Sequence, residues 1–453
     1  MAETRSARTG TTTSPAPGPA APGPNRSSRR DQGAPGRERL VVVLCVGVVA
    51  LHVLDDNFLQ PEPGTTAGDH LVSGLIPVLL LAAIAAAYPR LRAGGRAVVA
   101  MTLGALGVAI GAPAVYYLRD GAAEGDHYTG LLAVVAGFVL LLAGPVILWR
   151  NRRTEGSRRR RYLRRGLAVV CAPVIAVAVV WFLVFPIGLG YIYTHTAPAP
   201  SEPDLEVPYE NVIVTTDDGL ALTASYVPSR NRAAVVLFPG ASRSEEARML
   251  LAHGYGVLLL DPRGQGGSEG DTVRWAGDQD VLAGAAYLQQ RPDVDADRVG
   301  ALGFSIGGEM LLRAAARSET IQAVVSEGAG ERVGETDVSG IARLLVDPSQ
   351  AVMTAATTVF SNHKPPPPIV NRIGAIAPRP VLLIYADPGI GGESTRQPMY
   401  YSAAGQPKSI WKVPGADHTG GIDAEPVEYE RRVVDFLDAA LLPTTDTLER
   451  DRK

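Results

Sequence analysis

Cysteine is almost missing from this chain: Cys45 and Cys171 are the only two in 453 residues. Two distant cysteines exclude a disulfide-rich secreted scaffold and a Cys-based zinc module. Excess charge of either sign is also missing, the formal net charge being −3, so no nucleic-acid partner is expected. No metal-ligating constellation appears, and Gly264-x-Gly266 lacks the third glycine, at 269, of a dinucleotide fingerprint. Neither a metal nor a cofactor is therefore expected. What the chain has in quantity is apolar residues, 46% of the total, with a mean hydropathy of +0.09 despite 49 Gly and 35 Pro. A soluble domain with so much Gly and Pro does not usually reach that value, so the apolar residues must be concentrated somewhere.

They are concentrated between Leu40 and Tyr193. Residues 1–38 are Thr, Pro, Ala, Gly, Ser and Arg without periodicity and read as a disordered tail, as do residues 444–453. A signal peptide fits poorly, because the first apolar run begins only at Leu40. Five apolar runs follow: Leu40–Leu54, Leu71–Tyr88, Ala97–Leu118, Thr129–Trp149 and Leu167–Tyr193. Spanning ~30 Å of hydrocarbon takes ~20 residues, and the first run reaches that length only if it extends to Phe58. Residues 39–193 are thus expected to be about five transmembrane helices in the lipid bilayer. No charged residue sits in mid-span to suggest an ion path, and His52 is read as interfacial. Arginines crowd the N-terminal tail, the loop at Arg90, Arg92 and Arg96, and the stretch from Arg150 to Arg165. The other loops carry Asp55, Asp56, Glu62 and Asp69, then Asp120, Glu124 and Asp126. Basic residues are retained in the cytoplasm, so the N-terminus is expected inside and the C-terminal domain outside the cell membrane.

Residues 194–208 read as a linker. Beyond them, strands and helices alternate. A hairpin turns at Asp217-Asp218-Gly219, and apolar strands are expected at 233–238, 256–260, 299–304, 321–326, 380–385 and 409–413. Helices are expected between them. Fully apolar strands alternating with helices imply an α/β domain, with a mostly parallel sheet covered on both faces.

The chemistry lies in Gly303-Phe304-Ser305-Ile306-Gly307. A strand ends at this motif and a helix begins at Gly308, an arrangement that lifts a serine Oγ clear of the sheet at a helix N-terminus. A serine hydroxyl needs a base. His418, in the loop after the last strand, is at the sheet edge where open parallel sheets place their sites, whereas His253 and His363 read as surface or packing residues.

Residues 209–443 resemble an α/β-hydrolase, closest in flavour to the serine aminopeptidase and esterase-like group. The resemblance rests on Gly303–Gly307 as the nucleophile elbow, Asp261-Pro262-Arg263-Gly264-Gln265-Gly266-Gly267-Ser268 as the D-x-R-G-x-G-x-S segment, and Pro414–His418 as the histidine loop. It implies Ser305 and His418 as catalytic residues, with the backbone amides of Ala241 and Ile306 as the oxyanion hole, although Pro239-Gly240-Ala241 replaces the usual His-Gly. For the acid, Asp387 after the seventh strand is the first choice. Glu393 is its main rival and Glu327 a third, while Asp417, next to His418, more naturally points away. Residues 328–376 exceed a simple crossover, with helical spacing at 341–346 and 350–360, and read either as a cap over the site or as a packing helix pair.

These expectations add up to a membrane-anchored serine hydrolase acting on a small ester. Two alternatives stay open: a serine aminopeptidase or amidase acting on a short peptide, and a non-catalytic sensor that keeps the fold. The oligomeric state is left open.

Overall fold

The computed structural model describes residues 36–61, 65–68, 70–119, 125–151, 157–196, 202–240, 242–272, 275–330, 340–387, 389 and 392–442. The expected tails fall almost wholly outside these residues, except that the first helix already begins at Gly36.

Five helices are long and apolar enough to cross a membrane: Gly36–Leu59, Leu71–Arg90, Ala93–Arg119, His127–Arg150 and Val174–His195. The first reaches its 24 residues because a π-helical turn, Asp55–Leu59, carries it past Leu54. Large side chains such as Leu79 and Leu142 face outward, while small ones set the packing. A Cβ on Gly104 would lie 2.6 Å from the Gly137 carbonyl oxygen, and one on Gly111 would lie 2.4 Å from that of Gly130. The third and fourth spans therefore meet backbone to backbone, as small residues allow in membrane bundles.

The two ends of this bundle differ in charge. At one end Arg96 is buried against Glu38 at 2.9 Å, and Tyr88 donates to the same carboxylate at 3.0 Å. At the other, Thr129 donates to Asp55 at 2.8 Å, and His195 pairs with Asp56 at 3.0 Å. His52 belongs to this second cluster. It is buried at this end of the bundle, with Thr129 Oγ1 at 3.2 Å and Tyr191 Oη at 3.3 Å from its two ring nitrogens. The α/β domain meets this acidic end, where His70 lies 3.8 Å from Asp271.

The sheet runs β1-β2-β4-β3-β5-β6-β7-β8, from Glu210–Thr215 (β1), Ala221–Val227 (β2), Ala234–Phe238 (β3), Gly256–Leu260 (β4), Val299–Phe304 (β5), Ala323–Glu327 (β6), Val381–Asp387 (β7) and Lys408–Pro414 (β8). β1 and β2 are antiparallel to their neighbours and the other pairings are parallel. Strands β3 to β6 are buried along their whole length, since helices cover both faces and two apolar cores form, one on each side. That double cover is why they read as continuous apolar runs rather than alternating ones.

Among the described residues between β6 and β7, the two stretches of expected helical spacing fall on one α-helix, Arg343–Ser361, and the short turn before it, with Pro348 inside the helix's first turns. Rather than lying over the sheet, this insert helix runs beside the fifth span. Trp181 Nε1 donates to the Leu345 carbonyl at 2.9 Å, and Ser349 Oγ donates to the Trp181 carbonyl at 3.0 Å. Further along, Phe360 meets the Tyr191 ring edge-on at 5.2 Å. Leu344 and Leu345 on this helix, and Ile341 in the turn before it, are exposed and apolar, a surface suited to hydrocarbon and costly in water.

Candidate active site

Ser305 occupies the turn between β5 and the helix Ile306–Arg317, at φ +52° and ψ −121°. A non-glycine residue holds such a conformation only when its surroundings force it. Here they do so through glycine. A Cβ on Gly303 would lie 2.8 Å from the Gly307 carbonyl oxygen, and one on Gly307 would lie 2.4 Å from that of Phe238. The Ser305 amide donates to the Glu327 carbonyl at 2.8 Å and ties the turn to β6.

His418 follows β8, and its Nε2 lies 2.8 Å from Ser305 Oγ. Its Nδ1 lies 2.8 Å from Glu393 Oε1. A carboxylate only accepts, so Nδ1 carries the proton and Nε2 presents a lone pair to the serine hydroxyl. Glu393 is fully buried at the start of the helix Glu393–Ala403, where the helix dipole favours a negative charge. Its second oxygen accepts from the Ala386 amide at 3.2 Å. Gly328, at φ +70°, closes the other side of the imidazole, since a Cβ there would sit 3.0 Å from His418 Cε1.

The other acids lie elsewhere. β7 continues through Asp387, whose partly exposed carboxylate is paired with Lys412 on the adjacent strand and not with the imidazole. Asp417 is exposed. Glu327 is buried but turned toward the loop behind His418, accepting from the Gly421 amide at 2.9 Å and the Tyr429 hydroxyl at 2.7 Å. Burial pushes its carboxyl up to about 7. Of the two expected oxyanion donors, Ala241 lies outside the described residues. The Ile306 amide opens its helix, where no carbonyl of the preceding turn is available to it. Gly240, which precedes Ala241, spends its own amide on the Leu260 carbonyl at 2.8 Å. Among the described residues no group of three or more His, Cys, Asp or Glu is arranged to hold a metal ion.

Residues 203–369 match the X-Pro dipeptidyl-peptidase (S15) family. That stretch includes Ser305 and ends before Glu393 and His418. Together with the sheet order and the strand-turn-helix serine, it decides the relationship. The chain belongs to the α/β-hydrolase superfamily. Similar proteins include YfhR of Escherichia coli K12, uncharacterized, 26% identical over 52% of this chain and 82% of that one. Rv2307c of Mycobacterium tuberculosis, also uncharacterized, is 27% identical over 56% of this chain and 88% of its own length. Among solved structures, the Pyrococcus furiosus esterase Pf2001 aligns with 54% of this chain and 99% of its own at 22% identity and a TM-score of 0.44.

In this serine hydrolase the D-x-R-G-x-G-x-S segment is structural. Arg263 is buried against Asp280 at 2.6 Å and reaches Asp218 at 2.9 Å, which clamps the loop after β4 to the β1–β2 turn. One group escaped notice in the sequence. The Arg243 guanidinium stacks 3.9 Å from the centre of the Phe304 ring and donates to Thr419 Oγ1 at 3.1 Å, bracing the residue after His418. No sequence motif marks Arg243; only its place in the loop after β3, close to the expected oxyanion donor, could have suggested it.

Proposed function

We propose that the protein is a membrane-anchored hydrolase of carboxylic esters in which Ser305, His418 and Glu393 act together. The observation that carries this reading is the continuous hydrogen-bonded chain from Ser305 Oγ through both imidazole nitrogens to Glu393. As Oγ attacks the ester carbonyl, its proton passes to His418 Nε2. Glu393 holds the ring in the right tautomer and stabilises the imidazolium. The negative charge that develops on the carbonyl oxygen is met by the Ile306 amide and a second amide in the loop after β3, proposed to be that of Ala241. His418 then returns the proton to the departing alkoxide, leaving an acyl-enzyme, and water attacks it with His418 again acting as base.

Orientation follows from charge. The hydrolase-side loops meet the acidic end of the bundle, while Arg96 lies at the opposite end. Arginine is retained in the cytoplasm, so the hydrolase domain faces outward. The match to the S15 family favours a second reading, cleavage of a short peptide from its N-terminus, by the same acyl-enzyme chemistry.

A fluorophosphonate probe tests the mechanism. It is expected to label the full-length protein and to leave Ser305→Ala unlabelled; a wild type that resists the probe overturns the reading. Comparing p-nitrophenyl esters with aminoacyl and dipeptidyl amides then decides between esterase and peptidase.

A further inference from the structure

A cavity of about 340 Å³ lies between the spans and the insert helix. Its walls are wholly apolar. Ile76, Leu80 and Ile84 on the second span, and Val352, Ala356 and Phe360 on the insert helix, form two stripes at four-residue spacing. Each stripe covers about 12 Å of helix axis at ~1.5 Å per residue. The space is therefore a slot running along the helices.

Such a slot has no partner for water. It is an open groove rather than a sealed core cavity, since Ile76 and Leu80 in its wall are themselves exposed. It is also elongated, and the helices that wall it are long and apolar enough to cross a membrane. A flexible hydrocarbon chain fits these conditions better than a compact ring. On the second span, Leu79 and Leu80 are exposed on the outer surface, so the slot borders the region where lipid chains lie.

The chain that walls the slot also borders the candidate active site. It leaves the sheet at Gly328, against His418, and Phe360 ends the wall. Three residues later the His363 carbonyl accepts from Trp275 Nε1 in the hydrolase domain. We propose that the slot receives the acyl chain of an amphiphilic ester, so that the substrate's tail is held at the level of the bilayer while its carbonyl is presented to Ser305. The substrate class is then long-chain acyl esters. This assignment rests on the serine-hydrolase reading above, and the experiment separates the two.

The first measurement needs no catalysis. Full-length Ser305→Ala protein in phosphatidylcholine nanodiscs is irradiated with a diazirine-bearing palmitic acid and the adducts are mapped by mass spectrometry. The expected result is labelling of residues 76–84 and 343–361 that excess unlabelled palmitate suppresses, and its loss in Ala355→Trp or Leu80→Trp, each of which places a large ring in the slot. Labelling that does not saturate, or that falls equally on outward residues such as Leu142, overturns the proposal. The second compares kcat/KM for p-nitrophenyl dodecanoate and acetate. Wild type is expected to favour dodecanoate by at least ~10-fold, because each buried methylene adds favourable transfer free energy. The ratio should collapse toward unity in both tryptophan variants, with detergent and partition effects held equal. An unchanged ratio in folded variants, judged by thermal melting, also overturns it. If the fluorophosphonate fails on wild type, the serine reading falls alone, and the cross-linking still decides the slot.

Discussion

Glu393, six residues past the end of β7, reaches back to within 2.8 Å of His418 Nδ1, while Asp387, at the end of that strand, pairs with Lys412 instead. Gly389 and Gly392 both take positive φ, and a Cβ on Gly389 would lie 2.6 Å from Glu393 Cγ, so Gly389 packs directly against the buried side chain. Glu393→Gln keeps the volume but no longer fixes the tautomer, and kcat is expected to fall on the order of 10⁴-fold. Asp387→Asn removes only a partly exposed ion pair and should leave kcat within about 2-fold of wild type. Steady-state kinetics on a short-chain ester checks both, and the opposite ranking would return the role to Asp387.

Gly328 offers a second test, on positioning. Gly328→Ala adds a methyl 3.0 Å from His418 Cε1 and 2.9 Å from Thr419 Cγ2, at a backbone φ of +70°. The imidazole must give way, and a displacement of about 1 Å at a catalytic group costs roughly 100-fold. A fall in kcat with KM held is expected. Full activity in this variant would show that His418 is not held where the geometry puts it.

The site and the fold were unequally legible. Local signals carried the elbow: Ser305 is fixed by Gly303 and Gly307, two residues to either side. His418 was legible because it directly follows a strand whose end defines the reactive edge of the sheet. The carboxylate beside its Nδ1 was not, since both Asp387 and Glu393 follow β7 and no local signal ranks them. The insert helix was legible as a helix but not in its destination. Helical spacing of apolar residues reports a buried face and is silent on what buries it, and here the partner is Trp181 and Tyr191, far back in the chain. The partners of His52 are hidden for the same reason, because Thr129 and Tyr191 lie 77 and 139 residues away.

Glu327 links stability to pH. Its carboxyl is pushed up to about 7 from an ordinary 4.5 because burial penalises the charged form. Below pH 4.5 the folded and unfolded chains both hold the proton. Between 4.5 and 7 the unfolded chain releases it first, so stability falls as pH rises through this window, by about 3 kcal/mol at most. Above 7 both are ionised and the penalty is constant. Glu327→Gln keeps an acceptor for the Gly421 amide and does not titrate. Melting temperatures from pH 4.5 to 7.5 should fall more steeply for wild type than for the variant, and parallel curves would remove the linkage.

Orientation in the membrane is tested most directly by cysteine labelling, since the chain has only Cys45 and Cys171 to replace. Cys45 lies in the first span and Cys171 in the helix Arg158–Val179 that leads into the fifth, both half-buried, so alanine there keeps the packing nearly neutral. In that background Ser402→Cys places a thiol on the exposed end of the helix Glu393–Ala403, and Ser28→Cys places one in the N-terminal segment. The acidic cluster around Asp55 and Asp56 meets the hydrolase side, and Arg96 and Glu38 lie at the far end. Arginine at that end resists translocation. A membrane-impermeant maleimide should therefore label Ser402→Cys on intact cells and reach Ser28→Cys only after permeabilisation. The reverse pattern would put Ser305 and its site in the cytoplasm.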